Sequence, residues 1–323
     1  MDTTIVLPAE EYRRNRKAWL EARKAGLGAS ESAAVLGVDP WRTPLDVYLE
    51  KVNPEVRDEN VSEAAEWGSA IEAVVARKVG TRHPKLGRMI PTPGLCAHPQ
   101  HPWMLATPDR LLVDRQSGRE AVLEIKTTDG RNKPLWDDGP PERVQVQVQQ
   151  QLAVLGLEVG YVAVLFGGRE MPDPYEIKRD DEVIDQLITL GASFWRDHVL
   201  AQIPPEPRIG DDGNLLAMFP GDELLDAYVA DDSLAALLSE RSVIAQRIKN
   251  HEAAIAEIDV KAKAALGDRT ILINGDGQVL ATWKPQSSTR FDSKRLKAEH
   301  PELADTYSTT TATRRFLVKE PKQ

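Results

Sequence analysis

Cysteine is nearly missing: Cys96 is the one example in 323 residues. No disulfide can close within the chain, and a cysteine-ligated zinc or iron–sulfur site is excluded. Long apolar runs are missing too. None reaches the ~18 residues of a membrane span, so no membrane association is expected. The N-terminus has no basic-then-apolar signal layout, and the expectation is a soluble, cytoplasmic chain. Positive charge is in deficit. Lys and Arg number 41 against 50 Asp and Glu, for a net charge of −9 and a pI near 5.3. That argues against a generally basic nucleic-acid coat protein, but a local basic groove can coexist with an acidic exterior. The six histidines (His83, His98, His101, His198, His251, His300) show no helical i, i+4 pairing of the metal-site type.

What is present suits one large domain or two ordinary ones, with 41% hydrophobic and 28% charged residues. Residues 8–25 read as a helix with acids in the first turn and a glycine stop at Gly26. Its body, 13–24, is strongly basic. Gly26–Gly37 reads as a loop feeding a short helix, with Ser30 as the N-cap and free N–H groups suited to a phosphate. Thr43 caps a helix that has Pro44 at its first position. Asn53–Asn60 reads as a polar loop and Val61–Val79 as a helix. Within that helix Glu72 stands among apolar residues. It is either a boundary side chain reaching solvent or an acid held for pairing or metal. Residues 86–114 read as short strands and 128–141 as a polar loop. Residues 142–155 alternate with period two, yet their length, glutamines and Gly156 stop favour a helix that places Gln147 and Gln151 on one face. Tyr161–Phe166 reads as a buried strand with Tyr175–Lys178 as its hairpin partner, and 180–201 as an amphipathic helix. Pro204–Pro207 marks a domain break. Beyond it come a short helix at 224–229 and a long helix at 231–266 with a heptad seam through Leu237, Ile244, His251 and Ile258. A hairpin at 270–285 turning at Gly275-Asp276-Gly277 follows, then a short helix at 293–299 and a basic edge strand at 313–319.

The chemistry concentrates in 106–128. Two apolar strands, 106–113 and 121–127, flank a polar turn. Asp109 starts the first strand; Glu124 and Lys126 lie near the end of the second, two apart and so on one face. A hairpin would bring Asp109 beside Glu124. Two acids and a lysine on one sheet edge make a candidate magnesium site for phosphodiester hydrolysis. An exposed Glu124–Lys126 ion pair, worth ~0–1 kcal/mol, fits the same residues.

The order of these signals resembles the YqaJ-type viral recombinases, relatives of the phage lambda exonuclease within the restriction-endonuclease-like superfamily. Its PD-(D/E)xK motif reads here Pro108-Asp109, fourteen residues, then Glu124-Ile125-Lys126. Trp19, Arg23 and Gly28-Ala29-Ser30-Glu31 match the family's N-terminal motif. Gly68 to Glu72 match its Gly-x-x-x-Glu helix, and Gln147-Val148-Gln149 its Gln-x-Gln helix. The resemblance covers about residues 10–200. It implies an α/β (α+β) restriction-endonuclease-like core: a mixed central sheet flanked by helices, in a nuclease domain over 1–203. A C-terminal extension over 204–323 would hold the long helix and the β-hairpin. It also implies a metal-dependent DNA exonuclease acting 5′-to-3′ on linear duplex, in a bacterial or phage-infected cytoplasm. Asp109, Glu124 and the Ile125 carbonyl would hold magnesium, with manganese as a substitute. Glu72 and Asp109 would hold a second ion. Lys126 would position the attacking water and Gln147 would support it. Arg23, Ser30 and Thr107 would form a 5′-phosphate pocket, and Trp19 would stack on a base. Implied partners are duplex DNA ends, a single-strand annealing protein and further copies of the chain, since relatives form rings around DNA. The rival is a catalytically weak end-binding or scaffold protein with an oligomerising C-terminal helix. Two departures stand out: Arg110 where glycine is usual, and Gln151 where some relatives carry tyrosine.

Overall fold

The computed structural model describes residues 3–54, 63–221, 227–309 and 314–319. The chain begins with strand β1 (Thr4–Pro8) and helices α1 (Ala9–Arg14) and α2 (Arg16–Arg23). The single helix expected at 8–25 is therefore two. Asn15 divides them, and its side chain takes the Ala18 N–H at 3.1 Å to cap α2. Next come β2 (Leu27–Gly28), α3 (Ala29–Leu36), α4 (Pro44–Val52) and α5 (Glu63–Arg82). Thr43 caps α4 as expected, accepting from the Asp46 N–H at 3.1 Å. Ser30 does not cap α3. The chain stays extended through Gly28, which pairs with a neighbouring strand, and enters the helix at once, so Ser30 falls inside the first turn. The Glu31 carboxylate takes the Gly28 N–H instead, at 2.8 Å. The polar loop expected at 53–60 lies mostly outside the described residues.

Short strands follow as expected: β3 (Arg88–Pro91), β4 (Gly94–Ala97), β5 (Met104–Ala106) and β6 (Arg110–Val113). The hairpin to β7 (Glu120–Thr128) turns on Asp114, whose Oδ1 accepts from the Ser117 N–H at 2.7 Å, and on Gly118 at φ +70°. The stretch after β7 is not wholly irregular: Gly130–Trp136 forms a 3-10 helix and buries Trp136. Helix α6 (Glu142–Leu155) and strands β8 (Val159–Phe166) and β9 (Tyr175–Lys178) come next. Then α7 (Asp181–Phe194) continues as a π-helical turn, Trp195–Leu200.

Two sheets result. The larger has the order β3-β6-β7-β8-β9, with β7 and β8 parallel and the other pairs antiparallel. The smaller, β1-β4-β5-β2, was not anticipated as a sheet. Period-two alternation divides β7 between two cores. Ala121, Leu123 and Ile125 pack with Val75, Ala76 and Val79 of α5. Val122 faces the other way, into the cluster that contains α6. Helices therefore cover both faces of a mixed sheet, as expected.

Helix α6 explains its own odd pattern. It packs on β7 and β8 on one side and on β4, β5, α3 and α7 elsewhere. Its second half, 148–155, is buried all round, and such a helix shows no single apolar stripe. Its glutamines survive burial because each is bonded. Gln150 Nε2 donates to the Leu27 and Leu105 carbonyls at 2.8 and 2.9 Å, tying β2 and β5 to the helix. Gln149 Nε2 donates to the Lys178 carbonyl at 2.7 Å and its Oε1 accepts from the Asp180 N–H at 3.0 Å.

The chain divides into two compact units, Met1–Phe219 and Pro220–Gln323. Residues 204–219, expected with the extension, thus belong to the first. Their helix α8 (Asp212–Met218) follows Asp211, which is fully buried and accepts from Thr43 Oγ1 at 2.6 Å and Asn214 Nδ2 at 2.9 Å. The second unit holds α9 (Asp232–Leu266), the hairpin β10 (Ile271–Ile273) and β11 (Val279–Thr282), α10 (Ser293–Glu299) and α11 (Pro301–Thr306). Leu237, Ile244, Ile255 and Ile258 of the α9 seam are exposed. The expected strand at 313–319 is not formed: 314–319 are irregular, and 313 lies outside the described residues. The helix expected at 224–229 falls partly outside them, and 227–229 are irregular. No described helix is long and apolar enough to cross a membrane.

Candidate active site

The hairpin does bring Asp109 to the Glu124–Lys126 end of β7. Asp109 precedes β6, and its Oδ2 accepts the Ile125 N–H at 2.7 Å. In a strand, a residue's N–H and C=O point to the same side, so the Ile125 carbonyl also faces the Asp109 side.

Glu124 is 3% exposed. Its Oε1 accepts from Lys126 Nζ at 2.8 Å and Gln147 Nε2 at 2.6 Å. Its Oε2 accepts from Gln151 Nε2 at 2.7 Å. Lys126 Nζ also donates to Gln147 Oε1 at 2.8 Å, closing a ring of Glu124, Lys126 and Gln147. The exposed-pair alternative therefore fails for this lysine and acid. Gln151 is wholly buried, and its Oε1 has no hydrogen-bond partner.

Glu72 enters from α5, on the opposite face. Arg110 Nη1 donates to Glu72 Oε1 at 2.6 Å and also to the Asp109 carbonyl. The residue that departed from the family pattern thus ties the helix acid to the strand acid. Gly68, one turn earlier on α5, is where that helix passes close to β7; a Cβ there would lie 3.3 Å from Thr127 Oγ1.

Three carboxylates concentrate negative charge here. Burial first, then the charges of Glu124 and Glu72, push the Asp109 carboxyl well above the usual carboxylate range, against the opposing pull of Lys126. Carboxylate and carbonyl oxygens are the donors that magnesium and manganese take, so the chemistry of the set fits such a cation. Among the described residues, no group of three or more His, Cys, Asp or Glu side chains is already arranged around a metal position. In this arrangement the acids are engaged by Lys126, the two glutamines, Arg110 and the Ile125 N–H.

Glu72, Asp109, Glu124, Ile125 and Lys126 line one cavity of about 990 Å³. Trp41 and Arg143 also line it, and residue-type patterns did not single them out. They lie 102 positions apart, and only the fold brings them together. Gln151 was visible as the residue one turn after Gln147.

The N-terminal residues are placed differently. Arg23 Nη2 donates to Glu31 Oε1 at 2.5 Å, and Lys51 Nζ lies 2.7 Å from Glu31 Oε2. Burial pushes the Glu31 carboxyl up, but the charges of Arg23 and Lys51 outweigh it and leave the group at about 2. Ser30 and Thr107 each stand two residues beyond the paired Gly28 and Leu105 of the parallel strands β2 and β5, so both leave the same end of that pair. Trp19 packs beside the cluster of Leu7, Leu95 and Leu105, with the Arg23 guanidinium 4.7 Å from its ring centre. Arg23, Ser30, Thr107 and Trp19 are not among the residues lining the acid cavity.

Comparison with known proteins bears on the whole chain. A structure of an alkaline exonuclease from Laribacter hongkongensis is similar at 20% identity and a TM-score of 0.47, over 58% of this chain and 94% of that one. A phage-related exonuclease from Haemophilus somnus 129PT is similar at 10% identity and a TM-score of 0.43, over 55% and 96%. Residues 18–158 match the YqaJ-like viral recombinase domain. That span holds Glu72, Asp109, Glu124, Lys126, Gln147 and Gln151. The uncharacterized protein YqaJ of Bacillus subtilis (strain 168) is 34% identical over 325 aligned positions, 97% of both chains. With a domain match across the acid cluster and a relative aligned almost end to end, the chain belongs to the YqaJ-like viral recombinase family.

Proposed function

We propose that the chain is a metal-dependent deoxyribonuclease, an exonuclease that digests linear duplex DNA from 5′ ends for recombination. The observation that carries this reading is the bonded set around Glu124. A buried carboxylate, a lysine and two glutamines converge on one cavity, with Asp109 across the hairpin. Asp109, Glu124 and the Ile125 carbonyl would hold the principal divalent cation, magnesium or manganese. Glu72 with Asp109 would hold a second, in competition with Arg110 for the same carboxylate. When bound, the cation would lower the pKa of a coordinated water and neutralise charge on the phosphodiester.

The chain's own groups do the rest. Lys126 Nζ, oriented by Gln147, positions the attacking water and offsets negative charge as it develops on phosphate oxygens. Gln147 and Gln151, donating one to each oxygen of Glu124, fix the orientation of its carboxylate. Arg23, Ser30 and Thr107 are proposed to bind the terminal 5′-phosphate, with Arg23 shared between that phosphate and Glu31. Duplex ends are the proposed substrate. An annealing protein and further copies of this chain are the proposed partners.

Digestion of end-labelled linear duplex with and without magnesium tests this, comparing 5′ and 3′ labels. Release of the 5′ label first is expected. Asp109→Asn and Lys126→Ala should each lower the rate by at least ~100-fold, the order attached to single positioned catalytic groups. Undiminished digestion by either variant would falsify the site.

A further inference from the structure

Trp41 has 65% of its surface exposed, with the Arg143 guanidinium stacked 4.4 Å from its ring centre. A single exposed tryptophan needs no explanation. This one forms, with Arg143, the wall between two cavities. On one side is the acid cavity. On the other is a second cavity of about 420 Å³, whose apolar walls include Pro40, Leu135 and Trp136 and whose polar groups include Thr128 and Asn132. Its size falls in the range of small-ligand pockets. Strand β7 runs from one cavity to the other: Lys126 lines the first and Thr128 the second. Two residues of strand span roughly 6.5 Å, a distance that a single nucleotide's backbone bridges.

The loop that carries Trp41 is pinned at both ends. The Trp41 N–H donates to Asp39 Oδ1 at 2.8 Å. Gly37 lies against the Arg208 guanidinium, and Thr43 is bonded to the buried Asp211. The loop backbone is thus held in place and the exposed ring is backed by Arg143, which lowers the entropy lost on stacking a ligand. Base faces are free for stacking only where the duplex is open, and aromatic platforms accept any base. The Arg143 charge, at the first turn of α6, suits the adjoining phosphate.

We propose that Trp41 and Arg143 form a clamp for one unpaired nucleobase, seating it in the second cavity while its phosphodiester enters the acid cavity. This deepens the nuclease reading and rests on it. The test uses the full chain carrying Asp109→Asn to stop cleavage, and two fluorescent duplexes, one fully paired and one with two mismatched terminal pairs. A clamp for an unpaired base binds the frayed end more tightly, because unpairing is already done. Adding Trp41→Ala should reduce that preference roughly tenfold, the order supplied by base–aromatic stacking. Trp41→Phe should retain most of it, and Arg143→Ala should lower it. An unchanged ratio of affinities in Trp41→Ala, or no preference in the parent, overturns the clamp. Binding and cleavage are read separately. If the Asp109→Asn chain prefers frayed ends through Trp41 while the unsubstituted chain digests nothing, the clamp stands and the nuclease reading sinks; if the unsubstituted chain digests DNA while the affinity ratio ignores Trp41, the reverse holds.

Discussion

Glu31 is 1% exposed yet ionised, with its carboxyl at about 2. A carboxylate depressed in the folded state stabilises the protein fully above its unfolded value, and that stability is lost as pH falls through the folded value. The window therefore runs from about 4.5 down to about 2. Roughly 3 kcal/mol is expected to disappear across it. Burial pulls the neighbouring Lys51 ammonium below its usual value, against the charge of Glu31. Urea midpoints measured across the window should fall steeply for the parent. Glu31→Gln should flatten the curve and lower stability at neutral pH by about 3–5 kcal/mol, since it strands two cations beside each other. Gln151 gives the second prediction at this scale. Gln151→Leu removes a donor from the buried Glu124 Oε2. Thermal melting should show a loss of about 1–3 kcal/mol, and DNA digestion should slow along with it. A melting temperature equal to the parent's would contradict the bond. Residue identities made most of this cluster legible, because acid, lysine and glutamine are the types such chemistry uses. Arg110 was legible only as an anomaly; its role depends on α5 passing close to β6, which nothing local in the chain records.

Among elements, α6 dominates. Its period-two alternation competes with a strand assignment, and its length and its Gly156 stop, at φ +64° in the structure, decide for a helix. The structure supplies the reason for the pattern: from Val148 to Leu155 every residue is buried. Gly160 on β8 lies directly under it, where an added Cβ would stand 2.6 Å from Val148 Cγ1. Gly160→Ala should therefore push α6 off the sheet and cost about 1–3 kcal/mol by overpacking. Because Gln147 and Gln151 ride on that helix, digestion by this variant should fall more than its melting temperature alone explains. An active, equally stable variant would mean that the contact is soft. The smaller sheet was hidden for a different reason. Its strands have two to five residues and pair segments as distant as Thr4 and Ala97. Such short strands carry too few positions for a period to register, and Leu27–Gly28 is extended only because β5 and Gln150 receive it.

At the scale of the whole molecule, the chain forms two compact units. The first contains every residue of the candidate site. The proline-rich stretch at 204–207 reads as a boundary, but the buried Asp211 keeps the following residues with the first unit. Sequence marks where a chain must bend; a single buried polar cluster decides which side keeps the segment. Residues 1–219 expressed alone should unfold cooperatively, with the near-ultraviolet dichroism expected of a packed core. The exposed α9 seam is the proposed site of self-association, so sedimentation should show the fragment as a monomer while the full chain forms a larger species. Equal sedimentation behaviour would remove the seam from that role.

The encasement of α6 also fixes how the molecule comes apart. Amide protons of the helix's buried part, residues 148–155, are enclosed by protein, so their exchange should track global unfolding rather than local opening. The same event that exposes them also disperses Glu124, Lys126 and their glutamines. If those groups act as proposed, heating should end DNA digestion in a single step with the fold.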